Sequence, residues 1–310
     1  MSATHSTATL ALLASFVASL VVPALSAQRK TATLEFDGNT TAIEYGAAPV
    51  GEHSLDELKT GSTWRLGMNE ASTWQLDMPL LVGEELLPPG RYRIALARDG
   101  ERELSIVLAG TGLALGGSDR RVRGELTDAR SPAKKLAIEL KAAPKEKGVV
   151  DRQAFAIDVQ FGAHVWTGNA IALAGAPTTR LGGGWQLETF SVPSALVAAR
   201  GTRPVVVATL AKRKPPEGAP AGWNLVLAGD EARLVPQMVA PTEQNGFAEP
   251  KAPDPAWTTR GTIAAQATEV EEPVVELRDA TGKAGHFTFR FAIDKELLEI
   301  AIDEPKPAAR

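Results

Sequence analysis

The sequence predicts an all-β protein of two β-sandwich-like domains with few short helices, and three observations support this prediction. Apolar and polar residues alternate in many short segments; in RYRIALA at 91–97, for example, Tyr92, Ile94 and Leu96 share one face. Asp-Gly and Asn-Gly pairs, which favour tight turns, separate such segments. Helix-like patterns are confined to SVPSALVAARG at 191–201 and SLDELK at 54–59. Many short strands between turn signals are typical of a sandwich or a barrel.

Five further segments alternate in the same way and are also predicted strands. They are TATLEF at 31–36, KLAIEL at 135–140, AFAIDVQF at 154–161, PVVVATL at 204–210 and HFTFRFAI at 286–293. Trp166, Trp185 and Trp223 lie within alternating segments, so we expect them to pack in the core. Proline-rich stretches at 213–221 and 249–256 predict exposed loops.

The first 27 residues have the layout of a secretory signal peptide. An apolar run of thirteen residues from Leu10 to Val22 is followed by Pro23 and the small residues of ALSA. This run is short for a membrane-spanning helix, which needs about 20 apolar residues. The segment before the run lacks the usual lysine or arginine, so an uncleaved anchor is the alternative. The sequence therefore predicts a periplasmic or extracellular protein that meets a membrane only if this segment is retained.

Charge and cysteine content exclude several classes of protein. The chain has 33 lysines and arginines and 37 aspartates and glutamates, well interspersed, with a formal net charge of −4. This balance is unlike that of a nucleic-acid-binding surface, so no nucleic-acid partner is expected. The absence of cysteine excludes disulfides, thiolate metal sites and a cysteine nucleophile. His53, His164 and His286 are isolated in the sequence, and we predict no metal site and no cofactor.

Residues 28–175 are predicted to form the first β-sandwich domain, and residues 176–310 a second β-rich domain that is a candidate degenerate duplicate. RLG and WQLD, which begin at Arg65 and Trp74, return as RLG and WQLE from Arg180 and Trp185. Two further echoes are IVLAG at 106–110 with LVLAG at 225–229, and FAID at 155–158 with FAID at 291–294. The echoes keep their order, as in a repeat with loop insertions, and the second copy lacks the MNEAST of the first.

The segment WRLGMNEASTW at 64–74 is the strongest candidate for a site. Alternation on either side predicts two strands joined, as in a hairpin, by a loop that holds Asn69 and Glu70. In a structural interpretation, Asn69 bonds the loop backbone and Glu70 pairs with Arg65 or caps backbone amides. In a functional interpretation, Arg65, Asn69 and Glu70 line, together with Tyr45, a pocket for a polar ligand such as a glycan. The sequence leaves both interpretations open.

IEYGAAPV at 43–50, the WRLGMNEAST segment and LPPGRYRIAL at 87–96 together resemble an exported bacterial domain family of unknown function. The family shares a Tyr-Gly-x-Pro-like segment, a Trp-Arg-x-Gly-x-Asn-Glu-Ala-x-Thr motif and a Leu-Pro-x-Gly-x-Tyr segment. The matching positions here are Tyr45, Gly46, Pro49, Trp64, Arg65, Gly67, Asn69, Glu70, Ala71, Thr73, Leu87, Pro88, Gly90 and Tyr92, with Ser72 where a threonine is usual. The resemblance covers residues 31–170. It implies an exported β-rich domain and no activity, because none is established for the family.

Other patterns do not support a catalytic assignment. SPAK at 131–134 matches Ser-x-x-Lys, but Pro132 predicts a loop and not the helix that this chemistry needs. The glycine-rich segment at 110–117 is not followed by a capped helix, and the acidic run at 269–273 lacks the pattern of a calcium loop. We therefore expect no catalytic residue and an exported, non-enzymatic scaffold or binding module of undefined oligomeric state. The alternative is a glycan-active hydrolase centred on Glu70 with Arg65, for which the sequence nominates no second carboxylate.

Overall fold

The computed structural model confirms the all-β prediction. It describes residues 29–51, 54–68, 71–83, 85–109, 120–144, 149–175, 178–181, 184–201, 204–213, 220, 222–237, 258–279 and 286–303. Within these ranges the chain forms seventeen β-strands, one α-helix of five residues and one 3₁₀ helix of three residues. The predicted signal segment and the glycine-rich segment at 110–117 lie outside the described residues.

The first sheet contains ten strands, in the order β1-β2-β4-β7-β8-β9-β10-β5-β6, with β3 paired to β7. The strands are β1 Arg29–Phe36, β2 Asn39–Gly46, β3 Thr63–Trp64, β4 Ser72–Leu76, β5 Leu80–Val82, β6 Glu85–Leu87, β7 Gly90–Arg98, β8 Glu103–Ala109, β9 Arg120–Ala142 and β10 Arg152–Leu173. The 3₁₀ helix, Leu55–Glu57, lies between β2 and β3. Every pairing in this sheet is antiparallel.

The second sheet is a meander of seven strands in which each strand pairs with the next in sequence. The strands are β11 Thr179–Arg180, β12 Trp185–Thr189, β13 Val205–Lys212, β14 Gly222–Ala228, β15 Glu231–Pro236, β16 Thr259–Asp279 and β17 His286–Asp303. The α-helix α1, Ser194–Ala198, follows β12. It lies inside the predicted helical segment 191–201, and the 3₁₀ helix lies inside the predicted segment 54–59.

Alternation in the sequence becomes alternation of burial in both sheets. In β7, Tyr92, Ile94 and Leu96 face the core with exposures of 3%, 0% and 0%. A period of two places successive side chains on opposite faces of a strand, so one face can be apolar throughout. The predicted core positions of Trp166, Trp185 and Trp223 are confirmed, since all three are buried.

In each sheet, the two strands that come last in the sequence form a long hairpin that contains irregular pairing. These hairpins are β9–β10 and β16–β17. In the β9–β10 hairpin, Gly162 pairs with Ala133 and His164 pairs with Asp128, so four residues of β9 lie between these pairs against one residue of β10. Extra residues on one strand increase its bend and twist. Pro132 lies among these four residues inside β9, so the sequence prediction of a loop there is wrong. β16 has similar irregularities between its pairings at Ala265 and at Val274, where the acidic run 269–273 lies.

The bent β9 meets the segment that follows β2, and this contact closes much of the first sheet around its core. The Val50 amide donates to the Lys134 carbonyl at 3.1 Å, and the Leu136 amide donates to the Ala48 carbonyl at 2.7 Å. A sheet that curls until distant strands meet has a barrel-like interior. The apolar side chains of the first sheet fill that interior as one cluster.

The apolar side chains of the second sheet form a separate cluster. The two clusters belong to different sheets, with β10 ending at Leu173 and β11 beginning at Thr179. Contacts also link the sheets, because Leu86 and Leu173 pack in the second cluster and Asn224 Nδ2 donates to the Pro89 carbonyl at 3.1 Å. The predicted division into residues 28–175 and 176–310 falls at this change of sheet and stays a prediction.

Glu188 of β12 lies at the junction of the two sheets. Its Oε1 accepts a hydrogen bond of 2.9 Å from Asn39 Nδ2, and its carboxyl lies over the Cα of Gly175. Burial raises the pKa of the Glu188 carboxyl, and the nearby charges of Asp77 and Asp37 raise it further, against the opposing hydrogen bond from Asn39. This junction is therefore sensitive to the protonation of one carboxyl group.

The sequence echoes lie on strands that follow one another in the same order. WQL lies in β4 and again in β12, VLA lies in β8 and again in β14, and FAID lies in β10 and again in β17. The second sheet has β15 between the strands that would correspond to β8 and β9. The strand order agrees with a duplication followed by the insertion of one strand, and the duplication stays a prediction.

Candidate functional site

The segment that the sequence singled out is not a hairpin. β3 and β4 do not pair with each other; instead, Trp64 pairs with Leu96 and Ser72 pairs with Ile94, so both strands run antiparallel to β7. The chain therefore leaves the sheet after Trp64 and rejoins it at Ser72, farther along the same neighbouring strand. The alternation pattern missed this because two strands aligned along one partner have the same periodicity as two arms of a hairpin.

Backbone geometry fixes the described part of this loop. Leu66 has φ = 53° and is fully buried, and Gly67 has φ = 132°, a value that favours glycine. The Ser72 hydroxyl donates to the Leu66 carbonyl. The loop lies directly on the end of β2: a Cβ on Gly67 would be only 2.9 Å from the Gly46 carbonyl oxygen, and a Cβ on Gly46 would overlap the Met68 carbonyl. This mutual approach explains why both positions are glycine.

A groove of about 480 Å³ opens beside this loop. One wall is the segment of the 3₁₀ helix, a second is β3 with the loop, and β10 contributes the third. The lining residues are Ala48, Pro49, Ser54, Leu55, Glu57, Leu58, Thr63, Trp64, Arg65, Gly67, Met68 and Phe161. The volume falls within the range of small-molecule sites in proteins.

The groove combines an aromatic pair with a few polar groups. The rings of Trp64 and Phe161 have centroids 5.0 Å apart and planes inclined by 48°, a tilted arrangement favoured by aromatic pairs. Trp64 is half-buried, whereas Phe161 is buried. Glu57 and Arg65 supply groups of opposite charge along the lining. The groove can therefore offer a ring face and hydrogen-bonding groups to the same ligand.

Of the four predicted site residues, the structure describes Arg65 and Tyr45, and these two lie in different surroundings. Arg65 lines the groove and is half-buried. Tyr45 points into the core of the first sheet, where it is 4% exposed and its hydroxyl accepts a 3.1 Å hydrogen bond from the Ile138 amide. Tyr45 thus contributes to closing β2 against β9 and is not among the groove-lining residues. Asn69 and Glu70 lie outside the described residues.

A charged cluster that the sequence did not predict lies behind the 3₁₀ helix. His164 Nε2 is 2.6 Å from Asp56 Oδ2, and His164 Nδ1 is 3.3 Å from Asp128 Oδ1. Arg98 NH2 is 3.8 Å from Asp56 Oδ1, and Arg102 NH2 is 3.9 Å from Asp128 Oδ1. These residues come from five separate segments in and around the first sheet, and no spacing in the sequence signals that they meet.

Arg98 supports the 3₁₀ helix from below. Its side chain is only 7% exposed, and its NH2 group donates to the Leu55 carbonyl at 2.7 Å while NH1 donates to the Glu101 carbonyl. Leu55 is itself 2% exposed. A buried guanidinium needs such acceptors, because its desolvation is costly when the donors are unpaired.

The Leu-Pro-x-Gly-x-Tyr segment has a structural role. The Tyr92 hydroxyl donates to the carbonyl of Pro88, four residues upstream, where β7 begins. Burial raises the pKa of Tyr92 well above its usual value, against a smaller opposing influence of Arg120. The arrangement is like the tyrosine corner of β-sandwich domains, in which a buried hydroxyl holds the chain at the start of a strand.

A larger cavity, of about 780 Å³, lies along β8, β9 and β10 but is a weaker candidate. Its charged groups are of both signs, and Arg121 is already paired with Asp99. Glu103 and Glu125 lie directly opposite each other on neighbouring strands. The described lining contains no aromatic side chain. The groove beside Trp64 is therefore the better-built site.

Among the described residues, no group of three or more histidine, cysteine, aspartate or glutamate side chains is arranged to hold a metal ion. No helix in the described ranges is both long enough and apolar enough to span a bilayer. Comparison with protein-family models, with curated proteins and with solved structures gives no match for this chain.

Proposed function

We propose that this protein is an exported, non-enzymatic binding module whose groove takes a glycan. The observation that carries the proposal is the Trp64–Phe161 pair in the groove, with Arg65 and Glu57 along the same lining. A pyranose ring has an apolar C–H face and an equatorial rim of hydroxyl groups. An aromatic surface beside charged hydrogen-bonding groups matches both features.

The polar groups of the groove suit hydroxyl recognition. A guanidinium offers five N–H donors and no acceptor, whereas a carboxylate offers acceptors only. Arg65 and Glu57 therefore match the two hydrogen-bonding roles of a sugar hydroxyl, and the hydroxyl groups of Ser54 and Thr63 can serve either role.

Binding is favoured over hydrolysis by the carboxylates that line the groove. Hydrolysis of a glycosidic bond commonly uses two carboxyl groups, about 5 to 9.5 Å apart, on either side of the bond. Glu57 is the one carboxylate among the described lining residues. The hydrolase hypothesis depends on Glu70, which lies outside the described residues, so the described side chains give it no support.

A panel of neutral and acidic di- to hexasaccharides, measured by titration calorimetry against the protein, tests this proposal. For any sugar that binds, we expect Trp64→Ala to weaken affinity by at least about tenfold, since an aromatic contact contributes about 0.5–1.5 kcal/mol beyond its buried area. Arg65→Gln should also weaken binding, whereas Arg123→Gln, at an exposed residue that lines the separate cavity along β8, β9 and β10, should not. Absence of binding across the panel, or binding indifferent to Trp64 and Arg65, would contradict the proposal.

A further inference from the structure

We propose that His164, Asp56 and Asp128 form a proton-dependent latch that fixes the 3₁₀-helix wall of the groove. The latch is tighter when the imidazole is protonated and looser when it is neutral. As a control on ligand binding, it rests on the proposed function of the groove. The latch itself can be tested without any ligand.

The two nitrogens of His164 have different surroundings. Nε2 lies 2.6 Å from Asp56 Oδ2, and this close carboxylate favours a proton on Nε2 of the neutral ring. Nδ1 is buried and has no hydrogen-bond partner among the described residues, although Asp128 Oδ1 is 3.3 Å away. In the neutral ring, the unprotonated Nδ1 therefore lies near a carboxylate oxygen.

Protonation changes the contact between His164 Nδ1 and Asp128 from repulsive to attractive. An imidazolium donates from both nitrogens, so Nδ1–H can donate to Asp128 while Nε2–H keeps its bond to Asp56. The ring then links β10 to the 3₁₀ helix and to β9 through two charge-assisted contacts. Histidine is the side chain whose charge ordinarily changes between about pH 5 and 8, and this general range sets the pH limits of the test.

The charged groups around the ring favour this response. Among the described residues, Asp56 faces it from the 3₁₀ helix and Asp128 faces it from β9. Arg98 and Arg102 lie next to these carboxylates, with Arg98 3.8 Å from Asp56 and Arg102 3.9 Å from Asp128. Arg102 and Asp128 are largely exposed, so water screens their pairing more than it screens contacts of the partly buried ring. The carboxylates are thus the nearest charges to His164.

The latch spans two walls of the groove. Asp56 lies between Leu55 and Glu57, which both line the groove, and Phe161 lies three residues before His164 on β10. A change in the distance between Asp56 and His164 therefore changes the separation of the 3₁₀ helix from the aromatic pair. This separation determines whether a ligand can contact both walls.

The 3₁₀ helix depends on such external contacts. Its own backbone bonds, Glu57 N to Ser54 O and Leu58 N to Leu55 O, are both 3.3 Å long. Short 3₁₀ segments have poor hydrogen-bond geometry and little stability alone. Arg98 holds one end through the Leu55 carbonyl, and His164 holds the side chain of the following residue. The second contact loses its charge assistance when the ring is neutral, so the 3₁₀ helix is then held mainly through Arg98.

Acrylamide quenching of tryptophan fluorescence between pH 5 and pH 8 tests the latch, with acrylamide as the probe of groove access. The experiment uses Trp257→Phe as the background. Of the remaining five tryptophans, four are at most 5% exposed: Trp74, Trp166, Trp185 and Trp223. Quenching therefore reports mainly on Trp64 in the groove. We expect the quenching constant to rise about twofold from pH 5 to pH 8, because local opening increases exposure.

Two variants separate the latch from general effects of pH. His164→Gln can still donate to Asp56 but does not titrate, and Asp128→Asn removes the second carboxylate at a side chain that is 79% exposed. Both should leave quenching nearly independent of pH. A pH-independent constant in the background protein, or an unchanged pH dependence in both variants, would overturn the proposal. If the quenching constant depends on pH as expected and no sugar binds, only the proposed glycan function is wrong. If sugars bind through Trp64 and the quenching constant does not depend on pH, only the proposed latch is wrong.

Discussion

Replacement of Gly67 by alanine should be severely destabilising, because two separate costs add at this position. The first is conformational: φ is 132°, and an L-residue forced into a disfavoured positive φ costs about 1–2 kcal/mol. The second is steric: the new Cβ would lie 2.9 Å from the Gly46 oxygen and 3.2 Å from the Gly46 nitrogen. Backbone atoms cannot rotate away, and overpacking of this kind costs about 1–3 kcal/mol. The expected loss is about 4 kcal/mol.

Substitutions at two other glycines serve as controls that separate the conformational cost from the steric cost. Gly83 has φ = 59° with open space around the added Cβ, so Gly83→Ala should show only the conformational cost of about 1 kcal/mol. Gly201 has open space and no positive φ, so Gly201→Ala should be neutral or stabilise by a few tenths of a kcal/mol. Urea unfolding followed by circular dichroism measures all three variants. The close packing of the loop on β2 would be refuted if Gly67→Ala lost no more stability than Gly83→Ala.

Two further predictions concern buried ionisable groups. Tyr92→Phe removes the hydroxyl that donates to the Pro88 carbonyl, so the free energy of unfolding in urea should fall by about 1–2 kcal/mol; an unchanged value would mean that water satisfies this carbonyl. Glu188→Gln should raise the free energy of unfolding at neutral pH and have no effect at about pH 3. The sign follows because the pKa of Glu188 is raised in the folded state, so its stabilising contribution is present at low pH and is lost as pH rises through that value. An identical stability–pH profile for both proteins would contradict this account.

Period-two patterns were sufficient to predict the fold class, because they depend only on which neighbours along a strand share a face. The alternation places Tyr92, Ile94 and Leu96 on one face of a strand, and all three are buried. The same patterns could not predict strand pairing. Both β3, at Trp64, and β4, which begins at Ser72, pair with β7. Because β7 lies farther along the chain, local patterns around residue 64 cannot reveal this pairing.

The candidate site was predictable only in part, for a related reason. Arg65 was chosen from a local motif, and it lines the groove. Phe161 and the residues of the latch have no local signal, because Asp56, Asp128 and His164 meet only after β9 and β10 bend. Tyr45 looked like a ligand-binding residue because it is polar, yet its hydroxyl satisfies a backbone amide inside the first sheet.

The closure of β9 against the segment after β2 also determines when the groove forms. Trp64 is synthesised early, whereas Phe161 and the bent part of β9 are synthesised much later. Contacts between segments so distant in sequence form slowly, because the loop must close before it is stabilised. Until then Trp64 and the apolar residues around it lack their partners. A nascent chain therefore passes through an interval in which this part of the first sheet is exposed to aggregation, and the groove is complete only when that interval ends.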